Sequence, residues 1–181
     1  MRSRYLLLLA AVASPALAQN VKSAGTKATV AKLSAVSDIR AHWLTLSGYV
    51  LQSAMDVPEE KYSFKPASGV RSFGELIQHV AGAQSMFCAM ALGEKPPAED
   101  AVHASTRAEL IEAMKQSNRN CERAYAQSDA EASAATDVFG EQHSRLYALM
   151  MNATHDGEHY GNIITYMRIN GMIPPSSRPA K

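Results

Sequence analysis

The chain has 181 residues, of which 46% are hydrophobic, and it contains 18 Lys and Arg and 17 Asp and Glu. This length suits one domain able to bury its own core. The formal net charge of +1 and the lack of a long basic run argue against nucleic-acid binding, because following a phosphate backbone takes many cations.

The first eighteen residues have the pattern of a signal peptide. Arg2 and Arg4 precede an apolar run over residues 5–12, and residues 16–18, Ala-Leu-Ala, supply the small residues that signal peptidase requires. The run is much shorter than the roughly 20 residues of a membrane span, and no later stretch is long and apolar enough to cross a bilayer. We therefore expect cleavage after Ala18 and an exported protein, periplasmic or secreted, without a membrane span.

The predicted mature chain divides into three parts. Loss of two arginines leaves 16 basic residues against 17 acidic ones, so the net charge changes from +1 to −1. Residues 19–33 are rich in Ala, Ser, Thr and Lys and poor in large apolar groups, which is typical of a flexible leader. Residues 34–175 are predicted as the folded domain, and residues 176–181 as a C-terminal tail.

Four helices are predicted after the leader, and no segment shows a convincing strand-like alternation. The first covers about residues 37–55, where apolar residues recur every three or four positions, and it stops before Pro58. The second opens at Ser72, whose spacing to Glu75 fits a capping box, and continues as an apolar stripe until Gly93.

The third helix opens at Ser105 or Thr106, with Glu109 as the capping-box residue. Residues 128–140 are rich in Ala, Ser and Asp and are predicted as a loop. The fourth helix is predicted from about residue 141 to 169. Four long helices without strands indicate an all-α fold, a four-helix bundle, in which side chains from facing helices can converge on a metal.

The sequence HDGEHYGN, residues 155–162, lies in the fourth predicted helix. His155 and His159 are four residues apart, so they lie one above the other on one helix face, where two imidazoles can bind one ion. A catalytic zinc-type site usually has three protein ligands and one open position. His79 is the natural third ligand, because it lies mid-helix beside the apolar stripe of the second helix.

Other interpretations of these histidines stay open. A lone histidine beside an apolar stripe is more often a hydrogen-bonded core residue than a ligand, and a histidine pair on an exposed helix face can lack any function. His42 and His103 are better explained as surface or packing residues. His143, near the start of the fourth helix, is a candidate partner of a ligand.

The string HDGEH also matches the H-x-x-E-H motif of the inverted zinc proteases, with Glu158 in the place of the general base. By family resemblance, those proteases take a further acidic ligand from a helix well downstream. Only 22 residues follow His159, and they end in a proline-rich tail. We therefore interpret the match as coincidental.

Three segments carry a more specific resemblance. They are residues 62–66 (YSFKP), residues 71–81 (RSFGELIQHVA), and residues 155–162 running on to GMIPPSS at 171–177. In order and spacing they resemble the DinB-like superfamily of small four-helix metalloproteins, which is unrelated to the lesion-bypass DNA polymerase of similar name. The resemblance spans nearly all of the mature domain.

The resemblance implies both a topology and a metal site. Similar proteins are bundles with up-down-down-up topology, and many form homodimers. They hold a divalent metal, nickel or zinc, with one histidine from helix two and two from helix four. In this chain those positions are His79, His155 and His159.

The resemblance also implies metal-dependent chemistry on a small-molecule substrate. The metal would activate water for hydrolysis, or bind a thiol for transfer, as in similar thiol-dependent S-transferases. Low-molecular-weight thiols are scarce in oxidising compartments, so export favours a hydrolase. A thiol S-transferase and a non-catalytic metal-binding or stress scaffold stay open. Glu158 and Asn162 are the nearest candidates for a proton carrier or substrate contact, although a solvated helix surface or a cap to a neighbouring loop explains them equally well.

Cys88 and Cys121 are the only cysteines, and an even pair in an exported protein is compatible with a disulfide. Each lies sixteen residues beyond a helix opening, at Ser72 and Ser105. The two would therefore lie at similar height if helices two and three run parallel, as the resemblance implies. Two buried free thiols are the alternative.

Overall fold

A computed structural model describes residues 33–179. The predicted signal peptide and the predicted leader up to residue 32 lie outside the described residues. None of the helices in residues 33–179 is long and apolar enough to cross a membrane. The described chain is mostly helical, with helices α1 (Ala35–Asp56), α2 (Phe73–Leu92), α3 (Arg107–Ala124), α4 (Asp129–Ala132) and α5 (Arg145–Ile169).

The helix starts are set by side-chain caps. The Ser72 hydroxyl accepts from the backbone N–H of Glu75, and the Glu75 carboxylate accepts from the backbone N–H of Ser72, which completes the predicted capping box at α2. Thr106 and Glu109 form the same pair at α3, so Thr106 is the N-cap.

Two pairs of neighbouring helices run parallel. Along α1 and α5, Tyr49 stacks on Tyr160, and three residues earlier in both helices Leu46 lies against Gly157. Along α2 and α3, Gln84 donates to Ser117 through its side-chain amide. One turn further along both helices, at Cys88 and Cys121, the same pair is cross-linked.

The two parallel pairs run in opposite directions, which gives the bundle its topology. His79 of α2 faces His159 of α5, whereas Phe87, further along α2, faces the earlier residue His155. Helices α2 and α5 are therefore antiparallel. The order of the long helices is up-down-down-up, as the resemblance implied.

The middle of the core combines aromatic stacking with a polar network. Trp43 of α1 stacks on Tyr125, with ring centroids 4.4 Å apart. The Trp43 Nε1–H donates to the side-chain oxygen of Gln84, whose amide nitrogen donates to Ser117 and Asn118. Because every group in this network is hydrogen-bonded, it joins α1, α2 and α3 without leaving an unpaired dipole there.

Cys88 and Cys121 form a disulfide, with Cα atoms 5.2 Å apart. Both cysteines are buried, and the bond joins the parallel helices α2 and α3 at equal height. Of the two alternatives that the sequence left open, the structure contains the cross-link.

The prediction of a plain loop over residues 128–140 was wrong. This segment contains α4 and then enters a two-stranded antiparallel hairpin of β1 (Ala135–Val138) and β2 (Glu141–Ser144). Phe139 and Gly140 form the turn with φ of 56° and 88°. Positive φ at both central residues is the geometry of tight hairpin turns, and it suits glycine far better than phenylalanine.

The hairpin also moves the start of the fourth long helix. We predicted a start near Glu141, but this residue pairs with Val138 in the hairpin. Helix α5 begins at Arg145, where the Ser144 hydroxyl accepts from the backbone N–H of Tyr147. The N-cap therefore lies directly at the end of β2.

Candidate metal centre

Three histidines meet between α2 and α5 through their Nε2 atoms. The Nε2 of His79 lies 2.9 Å from that of His159 and 3.2 Å from that of His155, and the latter two are 3.0 Å apart. Ligand atoms about 2.1 Å from one ion, with angles of about 90–110°, lie about 3.0–3.4 Å from each other. The triangle fits this geometry, and the group could hold one metal ion.

The local sequence explains how α5 presents two of these rings. His155 and His159 are one turn apart and share one face of the helix. Gly157 lies on the opposite face, where an added Cβ would approach the Leu46 side chain of α1 to 3.3 Å. The absence of a side chain at Gly157 therefore allows close packing of α1 behind the histidine pair.

Glu99 orients the third ring. The Nδ1–H of His79 donates to Oε1 of Glu99 over 2.6 Å, which leaves the Nε2 lone pair directed at the other histidines. A carboxylate on the far nitrogen of a histidine is the usual support of a metal ligand. Sequence analysis missed Glu99, because it lies in the short turn Glu99–Ala101 within the α2–α3 connection, where no periodicity marks it.

Gly82 makes the approach of Glu99 to α2 feasible. A Cβ at Gly82 would collide with the backbone carbonyl oxygen of Glu99. Gly82 lies about one turn beyond His79, so the same stretch of α2 supplies the ring and the space for the residue that orients it. A glycine in the middle of an apolar helix was the one sequence signal that pointed to such a contact.

Burial keeps all three imidazoles neutral. It lowers the pKa of His155 to about 3, and the neighbouring imidazoles of His159 and His79 add to this effect. Burial is also the main reason that the pKa values of His79 and His159 are lowered, and the Arg71 charge adds to it. A neutral imidazole keeps a lone pair, which is the form that binds a metal.

Glu158 and Asn162, the two predicted candidates for a chemical role, both lie beside the centre. Glu158 is exposed, and its charge raises the pKa of His79 and His159 against the larger effect of burial. The side-chain nitrogen of Asn162 lies 3.4 Å from Nδ1 of His159. Asn162 lines a cavity beside the centre and Glu158 does not, and neither residue contacts the inward-facing Nε2 atoms.

The other histidines of the described chain lie outside the group. His42 and His103 are exposed. His143 stacks on Tyr147 with ring centroids 4.0 Å apart, and its Nε2 lies 3.3 Å from Glu141. None of the three is part of the triangle, and no contact links His143 to a ligand.

Asp156, between the two histidines of α5, is fully buried. Neither of its carboxylate oxygens has a hydrogen-bond partner within the described residues. Burial raises the pKa of this carboxyl well above its ordinary value, which favours the neutral acid. Sequence analysis did not identify this residue, because an aspartate in a histidine-rich helix is more commonly exposed.

Two cavities open beside the centre. One of about 720 Å³ is lined by His79 and Glu99, and the other, of about 660 Å³, by His159 and Asn162. Arg71 lines both of them. The two cavities therefore give small molecules space beside two of the three histidines.

The family assignment follows from the sequence. Residues 44–163, more than half of the chain, match the profile of the DinB superfamily. The chain therefore belongs to the DinB superfamily, which confirms the resemblance. No curated protein matches the sequence.

Solved structures of DinB-like proteins share the fold. A DinB-like protein from Bacillus cereus is similar with a TM-score of 0.67 and 17% identity, covering 77% of this chain and 95% of its own. A DinB-like protein from Bacillus subtilis is similar with a TM-score of 0.64 and 22% identity, covering 80% of this chain and 99% of its own. At such identities the similarity concerns the fold alone.

Proposed function

We propose that this protein is a metal-dependent hydrolase that binds one divalent cation through His79, His155 and His159. The observation that carries the proposal is the convergence of three Nε2 atoms within 3.2 Å of each other. The carboxylate of Glu99 behind His79 supports it, because metal-binding histidines usually donate their other ring N–H to a carboxylate or carbonyl.

The chemistry divides between the ion and the protein. A divalent ion at the three histidines would lower the pKa of coordinated water, to about 7 in the case of zinc, and would so supply a nucleophile for hydrolysis. The histidines position it, and Glu99 holds the His79 ring in its binding tautomer. Glu158 is an exposed carboxylate beside the centre and is the candidate acceptor for a proton, while Asn162 is the candidate contact for the substrate.

The donor set favours a transition metal as the resident ion. Imidazole nitrogen suits zinc, copper, iron and nickel, whereas magnesium and calcium prefer oxygen donors. The group that the structure brings together consists of three histidines and no carboxylate. We therefore propose a transition metal and not an alkaline-earth ion, and the resemblance to proteins that hold nickel or zinc narrows the proposal to these two.

We also propose that the protein is exported after cleavage at Ala18. The Cys88–Cys121 disulfide supports this proposal, because such bonds persist mainly in oxidising compartments. The same argument favours hydrolysis over thiol transfer. Intact-mass measurement of the protein recovered outside the cytoplasm should give a chain that begins at Gln19, and a chain that retains Met1 would contradict export by this route.

A substrate panel tests the enzymatic proposal. The metal-loaded protein is assayed with esters, amides and lactones, with and without added low-molecular-weight thiols. We expect hydrolysis without thiol and its loss in His79→Ala, while His42→Ala, which changes an exposed histidine outside the group, stays active. Turnover only in the presence of thiol would favour an S-transferase. Metal binding without any turnover would favour a scaffold.

A further inference from the structure

The cavity of about 660 Å³ differs from its neighbour in its charge. It lies between the segment at residues 66–71 and helix α5, and His159 and Asn162 line its inner side. Apolar side chains such as Leu76 form other parts of its wall. Among residues 33–179, Arg71 is the only Arg, Lys, Asp or Glu that lines it.

Arg71 is positioned through its backbone and keeps its side chain free. The Tyr166 hydroxyl donates to the Arg71 carbonyl oxygen over 2.6 Å, and the next residue, Ser72, is the N-cap of α2. The guanidinium makes no hydrogen bond or ion pair with any residue in the range 33–179. Lys65 nearby is different, because its ammonium lies 2.9 Å from the Glu75 carboxylate.

A free guanidinium beside a metal centre suits a particular ligand group. Its planar fork donates two parallel hydrogen bonds to a carboxylate, and these bonds are strong because both partners are charged. A dianion such as a phosphate ester fits less well, because the adjoining cavity is lined by three carboxylates against two cations, one of which, Lys65, is already paired with Glu75.

We propose that Arg71 binds the carboxylate of the substrate in the 660 Å³ cavity, so that the substrate is a small carboxylate-bearing ester or amide. This inference rests on the proposed function, because it places the reacting group at the three histidines. Asn162 lines the same cavity and lies beside His159, so it contacts the substrate between its carboxylate and its reacting group.

Paired probes test this inference on the full chain loaded with Co²⁺. The half-hydroxamates of succinic and glutaric acid bind a metal through one end and carry a carboxylate at the other. Their primary amides have the same length and metal-binding group but no charge. Changes in the cobalt visible spectrum on titration give the dissociation constant of each probe.

We expect at least one acid to bind about tenfold more tightly than its amide, since a charge-assisted pair at a partly solvated site is worth roughly that factor. Arg71→Gln should remove the difference and leave the affinity for the amide unchanged. Arg71→Lys, which keeps the charge without the fork, should retain only part of it. Arg40→Gln, at an exposed position of α1, should retain all of it.

Each contrary result has a distinct meaning. Equal binding of acid and amide by the parent would overturn the carboxylate site, and so would a preference for the acid that persists in Arg71→Gln. In both cases the bound cobalt would still support the metal centre. A parent chain that takes up no cobalt would overturn the metal centre itself, and the inference with it.

Discussion

Glu99 is the residue on which the orientation of His79 depends. Glu99→Ala removes the acceptor at Nδ1, so the ring loses both its fixed tautomer and its fixed rotation. We expect metal affinity to fall by about 10–100-fold, the usual effect of losing such a partner. Competition with a chromogenic chelator measures the change.

Asp100→Ala is the matched control for Glu99→Ala. Asp100 is the next residue, it lines the same cavity, and the ion pair to His79 is formed by Glu99. Its loss should change affinity by less than about threefold, since an exposed charge is well screened. If both variants lose the same metal affinity, the negative charge of this segment sets the affinity, and the contact between Glu99 and His79 does not.

The buried carboxyl of Asp156 predicts how the stability of the protein depends on pH. Its folded pKa is raised, so over a range above the ordinary value of 3.8 the folded carboxyl keeps a proton that the unfolded chain has lost. Its contribution to stability therefore falls as pH rises. In metal-free protein, Asp156→Asn should raise the free energy of unfolding more at pH 8 than at pH 4.

Denaturant unfolding at the two pH values measures the Asp156→Asn effect. Asp100→Asn, which makes the same substitution at an exposed position, serves as the control. The parent and Asp156→Asn differ in their free energy of unfolding. If this difference is the same at pH 4 and pH 8, Asp156 is not a buried, neutral acid.

Sequence reasoning identified the metal-binding candidates more readily than their supports. His155 and His159 are separated by one helical turn, so the spacing alone placed them on one face. The position of His79 beside an apolar stripe made it the candidate third ligand, and the resemblance implied the same residue. Glu99 comes from a connection between helices, where no period relates it to His79. Its contact depends on how closely that connection packs on α2, which is a tertiary property.

At the scale of elements, the connection after α2 depends on Gly82. Gly82→Ala would force the carbonyl of Glu99 away from the helix, and the Glu99 carboxylate would move with it. We expect a loss of metal affinity at least as large as that of Glu99→Ala, measured in the same chelator competition.

Gly48→Ala controls for the general effect of replacing a glycine by alanine within a helix. Gly48 is in α1, and an added Cβ would have no neighbour within 4 Å in the part of the chain that the structure describes. This variant should keep its metal affinity and gain about 0.5–1 kcal/mol of stability from helix propensity. A Gly82→Ala protein with unchanged metal affinity would contradict the role assigned to the close approach.

The disulfide between α2 and α3 gives a prediction about stability. Replacing both cysteines in Cys88→Ala/Cys121→Ala frees a long loop in the unfolded chain, and loop-closure entropy predicts a loss of about 3–4 kcal/mol. Denaturant unfolding measures this loss of stability. Added reductant should lower the free energy of unfolding of the parent but not that of the variant. A parent mass that does not rise by two hydrogens on reduction would contradict the bond.

The helices were predictable where capping chemistry and periodicity agreed. Ser72 and Thr106 each precede a glutamate at the correct spacing, so the starts of α2 and α3 were found to within a residue. The hairpin was missed because its strands have four residues each, too few for alternation to show. Its turn also begins with Phe139, a residue rarely found at positive φ.

At the scale of the whole molecule, the topology creates the centre. Because α2 and α5 are antiparallel neighbours, His79 from early in one helix meets His155 and His159 from the middle of the other. Periodicity alone did not orient the fourth helix, because its sequence does not separate apolar and polar residues clearly onto two faces. The resemblance supplied the topology, and the contacts between helices confirm it.

Metal content tests the central claim most directly. Elemental mass spectrometry is carried out on untagged mature protein, on His155→Ala/His159→Ala and on His42→Ala/His103→Ala, which removes two exposed histidines instead. We predict about one zinc or nickel ion per chain in the parent and in the control, and almost none in the first variant. A parent that binds no metal even after loading with both ions, or a first variant that binds as much as the parent, would contradict the three-histidine centre.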